Sequence, residues 1–149
     1  MKISIIIPML NELKNVSILF ERIISTIKKR KEIFEIIVVD DGSDQDVFPE
    51  YKKVKELYKD YIINFLILNK SYGHQKALET GIKNSTGDYI LTMDGDLQDP
   101  PEVIDQLIDN ISASDLDVVG TKRTRRRTAV WKKIMISFFY KIVNLFTVK

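Results

Sequence analysis

Cysteine is absent from the 149 residues, and histidine occurs once, as His74. A disulfide framework, a thiolate metal site and a histidine-built triad are therefore excluded. With 6 glycines and 4 prolines there is no low-complexity linker. Neither G-x-x-x-x-G-K-[ST] nor G-x-G-x-x-G occurs, so no P-loop or dinucleotide fingerprint is present. Long hydrophobic runs are missing at the start as well. "MKISIIIPML" turns polar at Asn11 and Glu12, too soon for a signal peptide or a membrane span, and reads as a buried strand.

Acidic residues are missing from one region only. Residues 118–149 hold 9 Lys+Arg and no Asp or Glu, a balance of +9. The remaining 14 basic and all 21 acidic residues lie in 1–117, a balance of −7. An acidic body suits a metal ion, and a basic tail suits an anionic partner such as a membrane. Apolar residues at 44% and charged residues at 30% are a globular balance, and the length suits one domain.

Apolar runs rich in Ile and Val recur at 2–8, 34–40, 63–68, 88–94 and 116–121. Their nearly continuous apolar character predicts strands covered on both faces of a parallel sheet. Helical spacing appears between them, clearest over 12–30 through Val16, Leu19, Phe20, Ile23, Ile24 and Ile27. Further helices are expected over about 49–60, 74–85 and 101–111. Alternating strands and helices imply an α/β, doubly wound, mostly parallel sheet with helices on both faces. Ligands bind such sheets at the carboxyl ends of the strands, where four polar clusters fall: Pro8 to Glu12, Asp40 to Asp44, Asn69 to Gln75 and Asp94 to Gln98.

In "LTMDGDLQDPPE", Asp94 and Asp96 lie two apart at a strand end and so project to one side. Two carboxylates with the Gln98 amide are hard oxygen donors suited to Mg²⁺ or Mn²⁺. An acidic turn capping the next helix is the plainer reading, but the other three clusters favour the metal. In "VVDDGSD", Ser43 and Asp44 read as turn and helix-cap residues, which leaves Asp40 to accept from a nucleobase or ribose. In "NKSYGHQKALETG", Lys70, Gln75 and Lys76 flank Gly73 at a helix N-terminus, a place that favours phosphate. His74 reads as an exposed residue with at most a polar contact.

Apart from these strand-end clusters stands a basic run, Lys122 to Arg127, leading into a segment with Trp131, Phe138 and Phe139 on one broad apolar face and Lys133 and Lys141 on a narrow polar stripe. That is the pattern of an amphipathic helix at a membrane surface; a core helix is the competing reading. No aromatic platform accompanies the basic run, so no nucleic-acid partner is expected.

The stretches "SIIIPMLNE", "IIVVDDGSD", "NKSYGHQKALETGI", "GDYILTMDGDLQDPPE" and "VVGTKR" resemble, in order and spacing, the family 2 glycosyltransferases of GT-A fold. The polyprenyl-phosphate group among them, similar to dolichyl-phosphate mannose synthase and undecaprenyl-phosphate glucosyltransferases, is the best match. The resemblance implies a nucleotide site lined by Pro8, Asn11, Glu12 and Asp40, and a Mg²⁺ or Mn²⁺ site at Asp94, Asp96 and Gln98. Lys122 and Arg123 stand where such enzymes show Gly-Ser-Arg, so the phosphate-binding role falls to one of them. Arg126, Arg127 and Trp131 would begin the membrane-facing segment. Residues 1–121 would form the nucleotide-sugar-binding core and 122–149 the acceptor side.

The implied reaction moves a sugar from a nucleoside diphosphate (UDP or GDP) to a polyprenyl phosphate at the cytoplasmic face of a membrane, with inversion. Asp96 and Arg123 would act on the departing diphosphate. A phosphate acceptor with its second pKa near ~6 attacks without a general base. Members of the group normally continue well past the point matching Lys149, so a truncated chain that binds donor without turnover is the alternative. A nucleotidyltransferase would need a glycine-rich basic loop where "PMLNELKN" stands. The exposed apolar face of the tail also makes a homo-oligomer possible.

Overall fold

The structure is a computed structural model that describes residues 1–114 and 116–122. The order is β1 (Lys2–Met9), α1 (Leu13–Ile27), β2 (Ile33–Asp40), α2 (Phe48–Leu57), β3 (Ile62–Ile67), α3 (His74–Lys83), β4 (Tyr89–Thr92) and α4 (Val103–Ser112). The strands form one sheet in the order β3-β2-β1-β4, with every pairing parallel. In register, Ile5 of β1 lies between Ile36 of β2 and Leu91 of β4.

Because side chains alternate along a strand, the two central strands supply both faces of the sheet. Ile3, Ile5, Ile7, Phe34, Ile36 and Val38 join the cluster that also holds the inner residues of α1, α2 and α4. Ile6, Ile37 and Val39 form a second cluster with Ala77 of α3. Helices therefore cover both faces, as the apolar runs imply. The stripe read along α1 is the buried one: Val16, Leu19, Phe20, Ile23, Ile24 and Ile27 all face inward. α3 lies so close to the sheet that a Cβ on Gly81 would meet Ile6 Cγ2 at 2.3 Å.

The run 116–121 is the exception among the expected strands, since none of its residues is in a strand. An apolar run becomes a strand only with a ladder partner and a face to bury. Here Leu116 is 59% and Val118 82% exposed, and β4 is the end strand among the described residues. The chain divides into two compact units, Met1–Asp117 and Val118–Lys149. The eight elements among the described residues belong to the first. No helix among the described residues is long and apolar enough to cross a membrane.

Away from the carboxyl ends of the strands, polar groups staple the unit together. Glu35 of β2 is buried and accepts from Ser4 Oγ (2.7 Å) on the neighbouring strand and from the Thr86 amide (3.0 Å). Arg30, just past α1, pairs with Glu32 at 2.9 Å and with Asp109 of α4 at 2.9 Å. The hydrogen bond from Arg30 lowers the Glu32 pKa from 4.5 to about 2. A depressed carboxylate contributes stability that is complete above its unfolded pKa and is lost as pH falls through the folded one. The urea midpoint should accordingly be level above pH 5 and fall between about pH 4.5 and 2. Arg30→Met should make that acid limb shallower by about 1 kcal/mol or less, and an unchanged limb would mean that the pair is inert.

Candidate functional site

The four polar clusters lie at the carboxyl ends of neighbouring parallel strands, and hydrogen bonds join three of those ends in turn. Asn11, two residues past β1, is in the left-handed region at φ 57°. Its amide donates to Ser43 Oγ at 2.8 Å, and its side chain exchanges two hydrogen bonds with Asp44: Nδ2 to Oδ2 at 3.2 Å, and the Asp44 amide to Oδ1 at 2.9 Å. Ser43 and Asp44 therefore do not cap α2, which begins only at Phe48 behind Val47. They brace the loop after β1 instead.

Adjacent Asp40 and Asp41, both buried at the end of β2, serve opposite sides of the sheet. Asp40 accepts from the Ser43 amide (2.7 Å), Ser43 Oγ (3.0 Å) and the Tyr51 hydroxyl of α2 (2.7 Å). Asp41 accepts from Ser71 Oγ (2.6 Å) and from the amides of Tyr72 (2.8 Å) and Gly73 (2.9 Å), which fixes the loop entering α3. Burial alone would raise the Asp41 pKa; these three donors, with His74 nearby, outweigh it and hold the carboxyl below its ordinary range. Between the two loops Gly42 takes φ 75°, and its backbone packs directly on Lys70 and Ser71.

At the end of β4, Asp94 is 52% exposed and lies 3.9 Å from Nε2 of His74, at the start of α3. Asp96 Oδ1 accepts from the Gln98 amide at 2.9 Å, and Leu97 between them has φ 62°. Such a backbone costs a non-glycine residue about 1–2 kcal/mol, and Leu97 offsets part of this by packing on the main apolar cluster. Asp96 and its turn are thus held by a strained but anchored loop.

Of the other expected site residues, Pro8 is a buried residue of β1. Glu12 is the residue before α1 and accepts from the Asn15 side chain. Lys70 is exposed and sits with Nζ 5.2 Å from the Tyr72 ring centroid. Gln75 is exposed in the first turn of α3. Lys122 is exposed in the second unit, and Arg123, with Arg126, Arg127 and Trp131, lies outside the described residues.

The donor set at β4 fits a divalent cation that prefers oxygen. Asp94 and Asp96 are carboxylates on one short loop, with the Gln98 amide after them. No group of three or more acidic or histidine side chains gathers as a metal cage among the described residues. A Mg²⁺ or Mn²⁺ ion held here would take its remaining ligands from water and a substrate phosphate, the ordinary way for magnesium. Sequence reasoning passed over three residues of the site, Asp41, Ser43 as a brace, and Tyr51. Only Asp41, beside Asp40 at a strand end, carried a local signal.

Comparison with known proteins agrees with the fold. The model of Glycosyl transferase family 2 matches residues 4–147. The undecaprenyl-phosphate 4-deoxy-4-formamido-L-arabinose transferase of Sodalis glossinidius (strain morsitans) is 37% identical over 132 residues, covering 89% of this chain and 40% of that protein. The transferase of the same name from Photorhabdus laumondii subsp. laumondii is 35% identical over 148 residues, covering 99% and 44%. The chain thus spans under half the length of these curated relatives. Among solved structures, the mannosyltransferase PcManGT from Pyrobaculum calidifontis in complex with GDP-Man and Mn²⁺ shares the fold at TM-score 0.54 and 22% identity, covering 63% of this chain and 27% of that one. S. aureus TarS 1-349 in complex with UDP does so at 0.58 and 19%, covering 86% and 40%.

Proposed function

The chain belongs to Glycosyl transferase family 2, and on that premise we propose that it binds a nucleoside diphosphate sugar and passes the sugar to a polyprenyl phosphate at a membrane surface, with inversion. The observation that carries this reading is the placement of Asp94 and Asp96 on the loop after β4, beside the start of α3 and one strand from the braced loop after β1. Nucleotide binding is assigned to Pro8, Asn11 and Glu12, with Asp40 behind them. Lys70 and Gln75 are assigned to donor phosphate, favoured by the helix N-terminus beside them. Asp94, Asp96 and Gln98 would hold Mg²⁺ or Mn²⁺. That ion supplies Lewis-acid neutralisation of the charge building on the leaving diphosphate.

Residues 1–121 are assigned to the donor and 122–149 to the acceptor side, with Lys122 and Arg123 assigned to the phosphates and the basic segment to anionic lipid at the cytoplasmic leaflet. The lipid phosphate is its own nucleophile, so these residues orient it and need not accept a proton. The relatives named for undecaprenyl phosphate support this choice of acceptor. A second reading is donor binding without transfer by these 149 residues alone, favoured by the 40% to 44% of the relatives' length that they span.

Calorimetry with UDP, GDP and their sugars, in Mn²⁺, in Mg²⁺ and in EDTA, tests the shared core of both readings. One nucleotide should bind in metal and lose at least about tenfold affinity in EDTA. No binding of any nucleotide under all three conditions would overturn it. A single-turnover assay with undecaprenyl phosphate then separates transfer from binding alone.

A further inference from the structure

We propose that Tyr51 is a positioning residue for the loop after β1, acting through Asp40 and Ser43 on the backbone of Asn11. Tyr51 lies in α2, away from the strand-end loops, and is 4% exposed. Its ring stacks on Phe65 of β3, with centroids 4.1 Å apart and planes 13° from parallel. The ring has little room to turn, so the hydroxyl is fixed where Asp40 Oδ2 accepts it at 2.7 Å.

Asp40 is itself 1% exposed, so its carboxylate depends on protein donors. Three are present: the Tyr51 hydroxyl, the Ser43 amide and the Ser43 hydroxyl. A hydroxyl has one hydrogen. With that hydrogen given to Asp40, Ser43 Oγ is left as an acceptor, and it accepts the Asn11 amide at 2.8 Å. The direction of every bond from Tyr51 to Asn11 is therefore determined. Burial and the Asp40 carboxylate both push the phenol pKa up, which keeps it protonated and donating.

At the end of this chain stands a residue that needs holding. Asn11 has φ 57°, and its amide points at Ser43 only while that backbone is kept. Without the Tyr51 hydroxyl, Asp40 would lose one of two donors to Oδ2 and could rotate toward Ser43. The Ser43 oxygen would then leave the Asn11 amide. A purely packing role for Tyr51 predicts none of this, because phenylalanine keeps the stack on Phe65.

The test is amide hydrogen exchange, resolved by residue, on the whole chain with Tyr51→Phe and Ser43→Ala. In Tyr51→Phe the Asn11 amide should exchange about tenfold faster, the worth of one hydrogen bond of ordinary net strength. The amides of Ile5 and Ile36, in the central strands, should keep their rates relative to global stability. Ser43→Ala should give the same or a larger effect at Asn11, and the double variant should be no faster than Ser43→Ala alone. Unchanged Asn11 exchange in Tyr51→Phe, or effects that simply multiply in the double variant, would overturn the proposal. This arm needs no ligand, so it stands or falls apart from the glycosyltransfer reading. A nucleotide affinity lowered about tenfold in Tyr51→Phe would carry the positioning to the donor site; unchanged affinity beside faster Asn11 exchange would show that the loop after β1 does not touch the donor, and would overturn that extension.

Discussion

Asp96→Asn should abolish the metal-dependent part of nucleotide binding while leaving the fold and the turn after β4 intact. Asparagine keeps an oxygen for the Gln98 amide, which Asp96 now holds at 2.9 Å, but it removes the negative charge. Outer-shell partners of metal ligands cost about 10–100-fold when removed, so a charged ligand itself should cost on the order of 100-fold or more. Asp96→Ala loses the turn acceptor too, and should add about 1 kcal/mol of instability. Calorimetry in Mn²⁺ and in EDTA reads the first effect, and urea unfolding the second. Should Asp96→Asn bind nucleotide as tightly as the parent, with EDTA without effect on either, the carboxylate is not a metal ligand.

The second large effect is expected at Gly42. Its φ of 75° is a conformation L side chains rarely adopt, and a Cβ would stand 2.3 Å from the Lys70 carbonyl carbon and 2.7 Å from the Ser71 nitrogen. Those are backbone atoms, which cannot swing aside as the end of a side chain can. The left-handed backbone costs about 1–2 kcal/mol and overpacking about 1–3 kcal/mol more. Gly42→Ala should therefore destabilise by about 3–4 kcal/mol and lower Tm on the order of 10 °C. It should also part the loop 69–73 from Asp41, so the amides of Tyr72 and Gly73 should lose protection first. A variant that melts with the parent would show that the loop simply moves away.

Much of the fold is legible in the sequence because period and burial say the same thing. The stripe from Val16 to Ile27 can bury only as a helix, and "IIVV" before Asp40 suits only a strand covered twice. Residues 116–121 show the limit. Leu116, Val118 and Val119 have strand character, but pairing is a property of two segments and cannot be read from one. Strand-end position singles out Asp40, Asp94 and Asp96, and the structure places all three at or just past strand ends. It could not show that Asp40 is occupied from within, because Tyr51 is a single aromatic in an amphipathic helix and nothing local links it to a carboxylate eleven residues earlier. Ser43 and Asp44 misled for a related reason. Both are good cap residues, but α2 starts four residues after Asp44, and their partner Asn11 is far away in sequence.

The opposed pair at the end of β2 has a further consequence. Asp40 answers to the loop after β1 and to α2, while Asp41 answers to the loop before α3. Consecutive side chains on a strand cannot share a face, so the two supports are insulated from each other by a single peptide unit. One loop could therefore change without retuning the other. Substitutions around Ser71 and Tyr72 should then combine additively with those around Asn11 and Ser43 in their effect on stability, which makes this junction a place where two loops can evolve apart.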